Sequence, residues 1–273
     1  MSEEQFNGGV ECVVDTHVHL HACFETGAAL DAAVAAFDRV ASRPAAERRD
    51  VLCLTDVAGV CTDARLCAAP PGDGAWRYSR PASGAGALAE RADGRRLHLL
   101  PGRQMVSTEH LELLALDCLL ELEDRRYPLN ELVDRTLAAG GVPVLPWGFG
   151  KWLGARGRVV RALMESRSDF LLADNGNRLR GTRLPTLLAV GRRKGGTILA
   201  GSDPLPLASQ AAQTGSHGIR GCVAAADATS PSCAFRALAR SGTWSVFGPL
   251  TPPAVFLRNQ VRMQIQKRIG GRS

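Results

Sequence analysis

Aromatic residues are scarce in this chain, at 5% of 273 positions. That argues against an all-β sandwich, whose strands favour aromatic and β-branched side chains. Long apolar runs are missing as well. Stretches such as "HLELLAL" fall far short of the roughly 18 residues that a spanning helix requires, so no membrane span is expected. The opening "MSEEQFNGGV" has neither a basic region nor an apolar centre, and no secretory leader is expected. The eight cysteines, at 12, 23, 53, 61, 67, 118, 222 and 233, form no CxxC pair and no regular framework. They read as buried thiols of a reducing compartment, which places the protein in the cytoplasm. No GxGxxG follows the first strand, no GxxxxGK[ST] occurs, and no GxSxG elbow surrounds Ser202. Dinucleotide binding, P-loop binding and serine-nucleophile chemistry therefore lack support.

Charge of one sign is concentrated rather than spread. Of a formal net charge of +6, five positive charges lie in the last sixteen residues, at Arg258, Arg262, Lys267, Arg268 and Arg272. The body is thus close to neutral and shows no interleaving of basic and aromatic residues, so no nucleic-acid partner is expected. The basic tail reads as a solvated helix end, or as an element docking on an acidic partner or membrane surface.

What is present is a hydrophobic composition of 45%, enough for a substantial core. The length suits one barrel-sized domain, taken as residues 1–250, followed by the basic tail 251–273. "VECVV" (10–14) and "DVLCLTD" (50–56) read as strands, and residues 27–42 place Leu30, Val34, Phe37 and Ala41 at helical spacing. Residues 61–94, rich in Pro, Gly, Ala and Ser, read as a surface insert with one short helix at 84–92. Two strands, "RRLHLLPG" and "LELLALD", and a helix at 130–141 follow. Then strands "VPVLPW", "FLLAD" and "GTILAGSD" alternate with helices at 155–166, 183–193 and 206–213. A strand at 218–226, a helix at 231–241 and an amphipathic closing helix at 254–269 (Leu257, Val261, Ile265, Ile269) complete the reading. Alternating strands and helices imply βαβ units. The expected fold is α/β, a (β/α)7–8 TIM-like and somewhat distorted barrel with parallel strands and outer helices.

In such a barrel function gathers just after the strands. Polar residues do stand there: Asp15, His17 and His19; Asp56; Arg103 and Gln104; Asp117; Trp147 and Lys151; Asp174, Asn175 and Asn177; Ser202 and Asp203. Residues two apart on a strand face one side, so His17 and His19 point together, at a separation suited to gripping one ion. The alternative is a pair of histidines that only hydrogen-bond to loops.

The stretch "VVDTHVHLH" resembles the first motif of the polymerase and histidinol phosphatase (PHP) domain family. In order along the chain, "LCLTDVAG", "LLPGRQMVST", "LELLALD", "VPVLPWGFGKW", "LLADNGNR" and "ILAGSDPLP" resemble its later motifs. The resemblance implies a metal-dependent hydrolase. It also shows departures. Val57 stands where the family has a histidine, Gln104 where it has a bridging glutamate, Glu112 replaces a histidine, and Leu145 lacks the imidazole before Pro146. Gln104 can still offer a neutral oxygen, but not the charge that bridges two cations.

The expected metal ligands are His17, His19 and Asp203, with Glu112 as a further candidate; Asp56 or Asp203 is the expected general base. Together they describe a reduced, mononuclear site for Zn, Mn or Fe, which would activate a water. "WGFGKWLGARGR" and "NGNRLRG" bring Lys151, Arg156, Arg178 and Arg180 towards the same end, with Trp147 and Asn175 beside them. They form either a collar for an anionic small molecule or a solvated face paired with acids. Two readings result: a metal-dependent phosphoesterase, or a barrel without catalysis that binds a ligand or acts as a scaffold.

Overall fold

The computed structural model describes residues 9–68, 75–82 and 85–270, with side chains to residue 265. The strands are β1 (Gly9–Val18), β2 (Arg48–Leu54), β3 (Trp76–Ser79), β4 (Ala87–Arg91), β5 (Arg96–Leu100), β6 (Gly102–Val106), β7 (Glu112–Leu116), β8 (Val142–Pro146), β9 (Leu171–Asn175), β10 (Ile198–Gly201), β11 (Gly218–Ala224) and β12 (Ser245–Phe247). The helices are α1 (Thr26–Val40), α2 (Thr62–Ala68), α3 (Leu129–Ala138), α4 (Gly154–Ser166), α5 (Thr186–Arg193), α6 (Pro231–Ser241) and α7 (Pro253–Gly270). No helix among the described residues is long and apolar enough to cross a membrane.

The strands form two open sheets, not the expected closed parallel barrel. One has the order β12-β11-β1-β2-β5-β4-β3 and the other β10-β9-β8-β7-β6. Only β1–β2, β2–β5, β8–β9 and β9–β10 pair in parallel; the other neighbours are antiparallel. The reason lies in the connections. Parallel neighbours need a long crossover, whereas a tight turn can join only antiparallel strands. β4 and β5 are joined by a turn at Asp93-Gly94, with Gly94 at φ 85°, and β6 returns into β7 through His110 at φ 58°.

The expected surface insert is itself part of the first sheet. Residues 87–91, expected in a helix, form β4, and Trp76, Ala87 and Ala89 are buried against α1 and β2. The helix expected at 206–213 is a 3-10 turn, Ala208–Gln213. The closing helix forms, but Leu257, Val261 and Ile265 face solvent instead of sealing the core. The side chains of Lys267, Arg268 and Ile269, and the whole of Arg272, lie outside the described residues.

Three apolar clusters stabilise the arrangement. Leu30, Phe37 and Leu52 pack α1 on the first sheet, and Leu113, Leu132, Val160 and Leu188 pack α3, α4 and α5 on the second. Between the sheets Val14, Val51, Leu114, Val144 and Leu199 meet, with Phe235 and Leu238 of α6 filling one end. Two seams join the sheets. Thr16 donates its hydroxyl to the Ala200 carbonyl at 2.9 Å. At the other seam the Asp56 N–H donates to Gly102 O at 3.1 Å, and the Gln104 N–H donates to Asp56 O at 2.9 Å. These seams bring the ends of β1, β6 and β10 to one place.

Candidate metal centre

The close approach of β1 and β10 depends on Gly201. A Cβ there would lie 2.4 Å from His17 N and 2.5 Å from His17 Cβ. With no side chain in the way, the chain after β10 passes directly beside His17. Asp15 then ties the two strand ends. Its buried carboxylate accepts from the N–H groups of His17 (3.1 Å), Ser202 (2.8 Å) and Gly215 (3.0 Å), and from the Ser202 hydroxyl (2.5 Å). Burial pushes its pKa up to about 6, opposed by those donors. Ser202 is therefore a support for Asp15.

Four donor atoms converge above this base. His17 Nε2 and His19 Nε2 are 3.2 Å apart. Gln104 Oε1 is 3.0 Å from the first and 3.2 Å from the second. Asp203 Oδ1 stands 3.5 Å from His17 Nε2 and 3.8 Å from His19 Nε2. A tetrahedral ion with bonds of 2.0–2.1 Å spaces its ligands about 3.3 Å apart, and these five distances bracket that value. Hydrogen bonding alone accounts for the Gln104 contacts but not for Asp203, whose oxygen faces both rings beyond good hydrogen-bond range. His17, His19 and Asp203 form a cluster that could hold a metal.

The electrostatics suit a cation. Burial, and then the neighbouring His17, bring the pKa of His19 down to about 3, so its ring is neutral and offers a lone pair. Burial raises the Asp203 carboxyl, yet the neighbouring His17 and Lys151 outweigh it and hold the group below its ordinary value, ionised. Asp203 sits at φ 47°, a left-handed conformation that aspartate tolerates better than most residues. Its Oδ2 accepts from Asn175 Nδ2 at 3.2 Å and its carbonyl from Asn177 Nδ2 at 2.5 Å. Its side chain is 24% exposed and Gln104 is half-buried, so the cluster opens to solvent on their side.

The other expected residues are distributed as follows. Both oxygens of Asp56 accept from Thr62, one from its N–H and one from its hydroxyl, each at 2.7 Å. This candidate base is thus engaged at the start of α2, on the wall of a 500 Å³ cleft that also borders His19. Glu112 is outside the donor cluster and accepts from the Lys151 ammonium. Arg178 pairs with Asp174 at 2.7 Å, Arg156 donates to Gly150 O at 3.0 Å, and the Arg180 side chain is exposed. Trp147 lines a 400 Å³ apolar cleft with Phe149, Trp152 and Leu153. Asn175 donates to Trp147 O at 2.9 Å as well as to Asp203. His21, beside His19, is 2.9 Å from Pro204 O and is not a member of the cluster.

No family model matches the chain, and no curated protein matches it. Among solved structures it is similar to PsfC from Pseudomonas syringae PB-5123, at 18% identity and a TM-score of 0.47, over 77% of this chain and 82% of that one.

Proposed function

We propose that the protein is a metal-dependent hydrolase of anionic small molecules, acting on a phosphoester through one divalent ion. The convergence of His17, His19, Gln104 and Asp203 on one point carries this reading. His17 and His19 supply imidazole nitrogens, Asp203 one negative charge and Gln104 a neutral oxygen, a donor set that suits Zn, Mn or Fe. When bound, such an ion lowers the pKa of a coordinated water and polarises the scissile group.

The chain's own residues have separable tasks. Asp15 holds the β1 and β10 ends so that both rings face one way. Asn175 and Asn177 fix Asp203, whose carboxylate would serve as the general base. Lys151 acts on Asp203 electrostatically and stands at the open side, where it can offset phosphate charge. Gln104 would add a neutral oxygen to the donors that hold the ion.

The test is turnover of p-nitrophenyl phosphate and a panel of phosphomonoesters by protein reconstituted with Zn, Mn or Fe. Metal-dependent hydrolysis is expected. In Lys151→Met, kcat/KM for a phosphoester should drop about tenfold while turnover of a neutral ester is unchanged. A second reading, a ligand-binding protein without catalysis, is favoured by the engagement of Asp56 with Thr62 and of Glu112 with Lys151. It predicts metal and anion binding with no turnover of any member of the panel.

A further inference from the structure

The loop after β8, residues 147–153, borders two places. Lys151 lies back across Gly148, where an added Cβ would be 2.5 Å from its Cδ; its ammonium pairs with Glu112 and acts on Asp203. The other large side chains of the loop, Trp147, Phe149, Trp152 and Leu153, line the 400 Å³ cleft, and Leu179 and Leu187 add to its apolar lining from the β9–α5 segment. Asn175 Nδ2 joins the two places. It donates to Trp147 O at 2.9 Å and to Asp203 Oδ2 at 3.2 Å. The cleft-lining loop and the carboxylate of the proposed metal centre are thus neighbours of one amide nitrogen.

Two polar side chains of the lining are already engaged. Arg178 pairs with Asp174 at 2.7 Å, and Thr182 donates its hydroxyl to Leu179 O at 2.6 Å. The apolar side chains, by contrast, are left open. Phe149 and Leu153 are 72% and 71% exposed, the two most exposed large apolar residues among those described. Exposed apolar side chains scattered singly are ordinary, but these two stand on one cleft. The Phe149 ring is moreover held edge-on by Phe256 of α7, with ring centres 5.5 Å apart. It is therefore accessible and fixed in position.

Two tryptophans and a phenylalanine around a cavity suit a flat aromatic group, which gains from ring–ring contact beyond its buried area. The volume, at the low end of small-molecule sites, suits a group of one or two rings. The cation in the same loop, Lys151, suits an anion attached to those rings. We infer that the cleft receives the aromatic portion of the substrate, a phosphoester whose phosphate lies beside Lys151 and whose rings lie against Trp147, Phe149 and Leu153. The place of the phosphate rests on the hydrolase reading above; the cleft adds which phosphoesters are preferred.

Calorimetry on the full chain in the presence of zinc tests this with 1-naphthylphosphonate and methylphosphonate, whose C–P bonds ester hydrolysis does not cleave. The naphthyl compound should bind at least about tenfold more tightly. In Phe149→Ala/Leu153→Ala that preference should vanish, while methylphosphonate and zinc bind as before. Both side chains are largely exposed, so the fold should survive their truncation. Equal affinity for the two phosphonates, or a preference that persists in the variant, overturns the inference. A dimer in sedimentation that the variant splits also overturns it, because a second copy then covers this face. The hydrolase reading fails separately. If 1-naphthyl phosphate is not hydrolysed with any metal, yet the naphthyl preference and its loss in the variant hold, the cleft stands as an aryl-anion site without the chemistry.

Discussion

The backbone N–H of Asp203 donates to the carbonyl of His17 at 2.8 Å. One hydrogen bond thus joins two residues whose side chains contribute to the same donor cluster, from distant parts of the sequence. The centre is consequently as rigid as the β1–β10 seam that carries it, and no flexible loop has to close to bring these donors together.

Gly201→Ala tests that dependence. The added methyl would strike the His17 backbone at 2.4 Å, which no side-chain rotation relieves. Overpacking of this kind costs about 1–3 kcal/mol. Urea unfolding should show a loss in that range, and divalent-ion affinity should fall with it. Unaltered stability and affinity would mean the seam is looser than the contacts indicate.

Gln104→Glu probes the fourth donor. It keeps the shape and adds a negative charge beside Asp203. Affinity for a divalent ion should rise at least about tenfold, and the metal-free protein should lose stability from the paired carboxylates. Gln104→Leu should weaken the ion by a similar factor. If neither change moves the affinity, Gln104 is a neighbour and not a ligand.

His17 and His19 were legible because strand period two is a local property, and Asp203 because of its "GSD" context at a strand end. The parallel run from β8 to β10 was legible because its strands and helices alternate within one stretch of sequence. The direction of the remaining strands was not, because pairing is decided by partners far away in sequence. β4 was read as part of a short helix, although the Asp93-Gly94 dipeptide after it is a hairpin signal. Asp56 stood at a strand end like a general base, and only its contact with Thr62, six residues on, gives it a capping role. The support of Asp15 by Ser202, 187 residues away, has no local signal at all.

His98 offers a pH test remote from the centre. Burial, together with Arg49 and Arg96, brings its pKa down to about 4 from 6.5. Above pH 6.5 the imidazole is neutral folded and unfolded, so it has no effect on the balance. As pH falls from 6.5 towards 4 only the unfolded chain takes the proton, and stability declines by on the order of 2 kcal/mol. Urea midpoints across that window should fall less steeply in His98→Gln than in the unaltered protein. Parallel slopes would show that His98 titrates normally.

The most direct measurement is the zinc and manganese stoichiometry of the purified full chain, by calorimetry with elemental analysis, compared with His17→Ala/His19→Ala. The account predicts one ion per chain in the first and none at that site in the second, with the far-ultraviolet circular dichroism of the two superimposable. A chain that binds no divalent ion, or a double variant that binds it equally well, would contradict the metal centre.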